Sequence, residues 1–344
     1  MGGSRGRRRA GVSVAGVLTG ALALALTGCG VVTTTKEDRA YAEKLAETHY
    51  PGLLRVIEAH TLIPEASGSE VVFAMTDNPD AVVRIRVDAE AGTCNTHGCR
   101  EVLDKAVERG RQEGAAVRAL VDTFRRCGHE VLAVDPQTGA PWIAASLTNS
   151  TVSTLIADLG GCARQWKEAA PRSDGDAVKG ASVNVVSPSV AAKRRKAPKS
   201  QPTAMRLSGS SLRASLGSHA YYSVGYGAKD GRVDPSSGSA RIVRPFKERQ
   251  EFAAAVHSAV ADRLRADHPR VQVSDFEWVW RLEPGTVDRV TGYVLYCEEP
   301  DGEKSCLGDL AVLVTTDLEG NPVGELRHVG KVREGRGPLR LPPM

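Results

Sequence analysis

Seven cysteines constrain what this 344-residue chain can fold into more than any other feature. They stand at positions 29, 94, 99, 127, 162, 297 and 306, and an odd number cannot all pair within one chain. Cys29 is set apart, because it closes an apolar run at the N-terminus. Local sequence narrows the pairings of the other six. Cys297 and Cys306 flank the polar stretch from Glu298 to Ser305, which contains Pro300 and Gly302 and separates two strand-like runs. A hairpin brings two such positions within bridging distance. Cys94 and Cys99 enclose Asn95, Thr96, His97 and Gly98, a tight loop. Cys127 and Cys162 remain, each at the end or on the apolar face of a predicted helix. The competing use of these residues is metal binding by Cys94, His97 and Cys99. That spacing fits no common zinc pattern and no second paired knuckle completes it, so neither a metal nor another cofactor is expected.

Whether the thiols oxidise depends on compartment, and the N-terminus speaks to that. Residues 1–9 carry Arg5, Arg7, Arg8 and Arg9 without an acid, and Ala10 to Leu26 are uncharged and apolar. This order matches a secretory signal, and export places the cysteines where disulfides persist. The apolar run alone would also serve as a short membrane span, but small residues and a cysteine at its end favour cleavage. Leu26-Thr27-Gly28-Cys29 resembles the lipobox of bacterial lipoproteins. The resemblance implies removal of residues 1–28, a diacylglyceryl thioether on Cys29, acylation of the new amino terminus and a tether over residues 29–35. It implies a membrane reached through lipid on Cys29, at the extracytoplasmic face of the cell membrane. One acyl chain holds a protein marginally and two or three hold it firmly. Arg7-Arg8-Arg9 invites a twin-arginine reading, but Ala10 and Gly11 follow where that signal wants bulky apolar residues, so the general secretory route is expected. The heavy use of Ala, Gly, Val and Arg resembles lipoproteins of high-GC Gram-positive bacteria.

Charge is informative only by region. The four N-terminal arginines carry the whole net charge of +4, so 41 basic and 41 acidic residues balance from Cys29 onward. A neutral mature chain gives no electrostatic case for nucleic-acid binding. Residues 171–215 nevertheless hold nine Lys/Arg against two Asp, centred on Lys193-Arg194-Arg195-Lys196. The stretch from 171 to 218 is rich in Ser, Ala, Lys, Arg and Pro and has little periodicity, apart from the strand-like Val183–Val186. It reads as a low-complexity, disordered basic linker. It would act as a solvated spacer or would touch anionic lipid head groups or envelope polymers.

The length and the 41% hydrophobic, 25% charged composition allow two globular domains around that linker. The predicted architecture is α+β in two small lobes. In the first, residues 36–170, a helix runs from Lys36 to about His60, broken or restarted at Pro51-Gly52. Strands follow over Glu70–Thr76 and Ala81–Asp88, joined by Asp77-Asn78-Pro79-Asp80. A helix over Arg100–Cys127 stops at Gly128, strands cover Glu130–Asp135 and Pro141–Leu147, and a helix capped by Asn149 or Ser150 reaches Lys167. In the second lobe, residues 219–332, a strand over Ala220–Tyr226 precedes a helix that starts at Pro245 or Lys247 and ends before Pro269. Four runs then form an antiparallel meander packed on that helix: Asp275–Leu282, Val290–Glu298, Leu307–Thr316 and Val323–Val329. Residues 333–344 read as a flexible tail.

No G-x-S-x-G elbow, S-x-x-K pair, H-E-x-x-H helix or P-loop occurs. Gly225, Gly227 and Gly231 are spaced one residue too widely for a dinucleotide fingerprint. The candidate binding feature is aromatic. Trp278 and Trp280 share one face of an alternating run, where they either pack in the core or, if that face is open, form a stacking platform for a glycan or an apolar ligand. Tyr221, Tyr222 and Tyr226 share that ambiguity, and the remaining histidines lack ligand spacing. The sequence therefore predicts a membrane-anchored extracytoplasmic lipoprotein, non-enzymatic, with a binding or envelope-organising role. The competing classes are an exported hydrolase with an atypical site, which requires a histidine clustered with Ser, Asp or Glu in a cleft, and a solute-binding transporter component, which requires two hinged lobes.

Overall fold

The computed structural model describes residues 35–62, 68–95, 97–171, 178–275, 279–298, 306–334 and 337–344. The predicted signal segment, Cys29 and Trp278 lie outside the described residues. The chain is mixed α and β, with two main sheets and one long helix that belongs to the cores of both.

Helix α1 (Thr35–His49) ends where Pro51-Gly52 turns the chain, with Gly52 at a φ of 70°. The predicted helix does not resume. Leu54–Thr61 is instead strand β1, paired antiparallel with β2 (Ser69–Met75). An apolar spacing this short fits either period, and the neighbouring strand decides it. β2 pairs with β3 (Val82–Asp88), and β3 with the two-residue β4 (Thr93–Cys94). Helix α1 is pinned to this sheet by Asp38, which has no solvent exposure. Its carboxylate accepts from Ser69 Oγ at 2.6 Å and from the Ala89 backbone N–H at 2.8 Å.

Helix α2 (Cys99–Arg126) has 28 residues, about 42 Å at ~1.5 Å per residue. Its first half packs Leu103 and Val107 with Phe73 and Ile85. Its second half packs Leu120 and Phe124 with Leu159 and Trp166 of a different core. A Cβ at Gly110 would lie 2.7 Å from the Val82 carbonyl oxygen, so the close approach of α2 to β3 requires glycine there.

The second sheet begins with the hairpin β5 (Val131–Val134) and β6 (Pro141–Ala144), followed by helix α3 (Val152–Ala169). Strand β7 (Ala181–Val186) then runs parallel to β6 and antiparallel to β8 (Tyr221–Tyr226). Between β7 and β8 lie three short helices, α4 (Pro188–Lys193), α5 (Thr203–Ser208) and α6 (Ser210–Gly217). A small ribbon of β9 (Ala228–Lys229) and β10 (Arg232–Val233) leads to β11 (Ser239–Val243) and helix α7 (Phe246–Leu264). The last strands are β12 (Gln272–Val273), β13 (Arg281–Leu282), β14 (Arg289–Cys297), β15 (Leu310–Asp317) and β16 (Arg327–Lys331). The spatial order is β16-β15-β14-β13-β11-β8-β7-β6-β5, with β12 also paired to β14. Phe252, Val256, Val260 and Leu264 of α7 share a core with Val290, Val294, Val312 and Val314 of β14 and β15.

Three further features differ from the sequence expectation. First, the sheet continues through the stretch read as a disordered linker. Val183 and Val185 are buried, β7 joins β6 to β8, and Leu212 and Leu216 pack with Trp142. The backbone N–H groups of Thr203 and Ala204 also donate to the carbonyls of Pro79 and Asp80 in the β2–β3 turn, at 3.0 and 3.3 Å. A few apolar residues with sheet partners on both sides order a segment whose average composition is polar. Second, of the alternating run predicted over 275–282, only Arg281–Leu282 is strand among the described residues. Arg281 pairs with both neighbours and Leu282 with β14, while Val279 and Trp280 stand outside the ladder. Third, the C-terminal residues fold back. Leu339 and Leu341 pack beside Tyr293 and Leu295, and Tyr293 donates to the Pro342 carbonyl at 3.0 Å. Among the described residues no helix is long and apolar enough to cross a membrane.

Candidate functional site

The six cysteines within the described residues form the three bridges predicted from local sequence. Cys94–Cys99, Cys127–Cys162 and Cys297–Cys306 have Cα separations of 4.7, 6.2 and 5.8 Å. The first bridge occupies both thiols of the alternative Cys94–His97–Cys99 ligand set. Among the described residues no cluster of three or more His, Cys, Asp and Glu is placed to hold a metal ion.

The three tyrosines are packing residues. Tyr226 is buried and donates to the Ile156 carbonyl at 2.7 Å, and burial pushes its phenol far above the ordinary range. Tyr221 lies against Trp142 with ring centroids 4.4 Å apart, and Tyr222 is half-buried in the same sheet. Two histidines pair with carboxylates in part-exposed positions, His60 with Glu58 at 3.0 Å and His268 with Glu298 at 3.5 Å. His328 meets the Tyr296 hydroxyl at 3.2 Å.

Trp280 is different. Where the chain leaves the ladder before β13, its indole lies on β14 at Gly292, and a Cβ there would come within 2.7 Å of the ring carbons. Glycine at that position is what lets the ring rest on the strand. Phe252 of α7 meets the same indole edge-on, with centroids 5.3 Å apart and planes at 88°. The half-buried Trp280 therefore has a fixed orientation, and it lines a cavity of about 490 Å³.

The rest of that cavity is cationic and apolar. Ile242, Val243, Ala253 and Val279 supply apolar wall, with Tyr293 and His257 as further polar groups. Arg241 comes from the middle of β11, Arg244 from the residue after it, and Arg249 from the first turns of α7. Arg244 is held in place, its guanidinium 3.9 Å over the Phe252 ring and its Nη2 donating to the Leu318 carbonyl at 3.0 Å. Burial draws its pKa below the ordinary guanidinium range, with Glu248, Tyr222 and Glu319 opposing. A guanidinium remains cationic at physiological pH in such a setting. No Asp, Glu, Ser, Thr or Cys lines this cavity among the described residues. Such a wall can stack a planar or sugar ring and pair with negative charge. Among its described lining residues there is no carboxylate base and no aliphatic hydroxyl or thiol nucleophile.

Of the two predicted stacking residues, Trp280 lines this cavity and Trp278 lies outside the described residues. Sequence reading missed the arginines. A signal for them existed: Arg244, Lys247 and Arg249 surround the start of α7, where the helix dipole ordinarily favours acids. No family model, curated protein or solved structure matches this chain.

Proposed function

We propose that this protein is a lipid-anchored extracytoplasmic binding protein rather than a catalyst, and that the Trp280 cavity takes an anionic ligand with a sugar-like or planar body. The observation that carries the binding role is the cavity wall, a fixed indole beside three arginines, with no carboxylate among its described lining residues. An indole face contributes apolar contact to a ring, and arginines contribute charge-assisted hydrogen bonds to phosphate or carboxylate oxygens. The anchoring part rests on Leu26-Thr27-Gly28-Cys29, and three disulfides accord with an oxidising compartment.

Both parts have a direct test. Cys29→Ser should move the protein out of the membrane fraction or leave it unprocessed, and wild-type fractionation and mobility would rule the anchor out. Titration with glucuronate, glucose 6-phosphate and glucose, followed by tryptophan fluorescence, tests the cavity. The two anionic sugars should bind and glucose should not, and Trp280→Ala or Arg244→Ala should each weaken binding about tenfold or more. Equal binding of glucose, or variants that bind as the wild type does, would remove the proposed ligand class.

A further inference from the structure

The stretch after α4 and the start of the second sheet line a separate groove of about 570 Å³. Its floor includes Val131 and Leu132 of β5 and Leu212 of α6, and the end of α2 contributes Arg125. Arg194, Arg195, Lys196 and Lys199 line it from the basic stretch, and Arg206 from α5. Glu130 is the one carboxylate among the described lining residues, and it is already paired with Arg194 at 2.8 Å. Arg125 bonds Asp122 at 3.1 Å, on its own helix. Arg195, Lys196 and Lys199 are exposed and no carboxylate pairs with them among the described residues. Arg206 donates through Nη2 to Thr203 Oγ1 at 3.0 Å, while its Nε is shut off from solvent without a partner. His129 also lines the groove, and burial depresses its pKa, so it adds no positive charge at neutral pH.

The arrangement of these charges narrows the ligand. Exposed lysines and arginines each give little to one small ion in high-dielectric solvent. A chain with repeating negative groups sums several such contacts and releases condensed counterions as it binds. A bilayer presents a flat surface, whereas these cations line a concavity between two chain segments. We propose that this groove is a docking channel for a linear anionic polymer, whose successive phosphate or carboxylate groups engage Arg195, Lys196, Lys199 and Arg206. The groove and the Trp280 cavity share no lining residue, so this site stands or falls independently of the one above.

The test uses the full-length chain, in nonionic detergent for long-chain inorganic polyphosphate, polyguluronate and orthophosphate, and after detergent removal for phosphatidylglycerol vesicles. Phosphatidylcholine vesicles give the background from the lipid anchor. Both polymers should bind, with affinity falling steeply as salt rises, and orthophosphate should bind far more weakly. The triple change Arg195→Glu, Lys196→Glu, Lys199→Glu should cut polymer affinity about 10- to 100-fold and flatten the log–log salt slope by about two to three. A control triple on α1 and α2, Lys36→Glu, Lys44→Glu, Lys105→Glu, should leave binding intact. These positions are exposed or at a helix start, and an unchanged near-ultraviolet circular dichroism spectrum confirms folding. Polymer binding that is insensitive to the groove variant, or equally sensitive to the control, would overturn the proposal. So would orthophosphate binding as tightly as the polymers, or anionic vesicles binding better than either polymer. Response to only one of the two polymers would retain the channel and assign its charge carrier.

Discussion

At the scale of single residues, a buried polar group can hold one element to another. Asp38 is the clearest case, since its carboxylate in α1 accepts from β2 and from the residue after β3. Asp38→Ala would leave the Ser69 hydroxyl and the Ala89 N–H without their acceptor inside the protein. We expect a loss of about 3 kcal/mol in urea denaturation, with Asp38→Asn losing less because it keeps one acceptor oxygen. Equal losses for both variants would show that the negative charge, rather than the accepted bonds, is what matters. Gly292 acts by the opposite means, stabilising a contact by having no side chain under Trp280. Neither role could be read from sequence, because each depends on a residue far away along the chain.

Among elements, the disulfides divide by the length of chain they close. Cys94–Cys99 and Cys297–Cys306 are separated by 5 and 9 residues, whereas Cys127–Cys162 spans 35 and ties the end of α2 to α3. Loop-closure entropy assigns about 4 kcal/mol to the longest and about 2 kcal/mol to the shortest. Replacing Cys127 and Cys162 by alanine should therefore lower the unfolding free energy about twice as much as replacing Cys94 and Cys99. The reverse ranking in denaturant titrations would locate the stabilisation in local packing instead. The three pairs were legible from sequence because two are set by tight turns and the third by what remained. The long helices α2, α3 and α7 were equally legible, since an apolar stripe sustained over several turns fits no strand. The short elements were not. β1 and β13 carry patterns that local spacing leaves ambiguous, and only pairing partners resolve them.

At the level of the whole molecule, β7 is the decisive element. It connects β5–β6 to β8 and makes one sheet of residues from both predicted lobes. A fragment of residues 35–170 would leave the β7 edge of β6 unpaired. Its α1 and β1–β4 amides should keep their hydrogen-exchange protection, while those of β5 and β6 lose theirs. Retention of β5–β6 protection in the fragment would mean that this hairpin is stable without the sheet. The Trp280 cavity was legible in part, through an aromatic alternation, but its arginines come from β11 and α7, elements brought beside Trp280 only by the fold. The basic groove likewise needed the stretch at 194–206 to lie against β5.

The sequence by itself determined the three cysteine pairs, the α+β class and the long helices, and it raises the expectation of an export signal with a lipobox. Each is encoded within a few tens of residues, by charge order, turn chemistry or a sustained periodicity. Only the tertiary structure decided that the polar stretch between the predicted lobes is a working part of the sheet. Only it decided which cations share a cavity with Trp280 and which line the groove beside β5. The physical reason is common to these cases: pairing and burial are properties of contacts distant along the chain, and a local window records neither partner nor solvent.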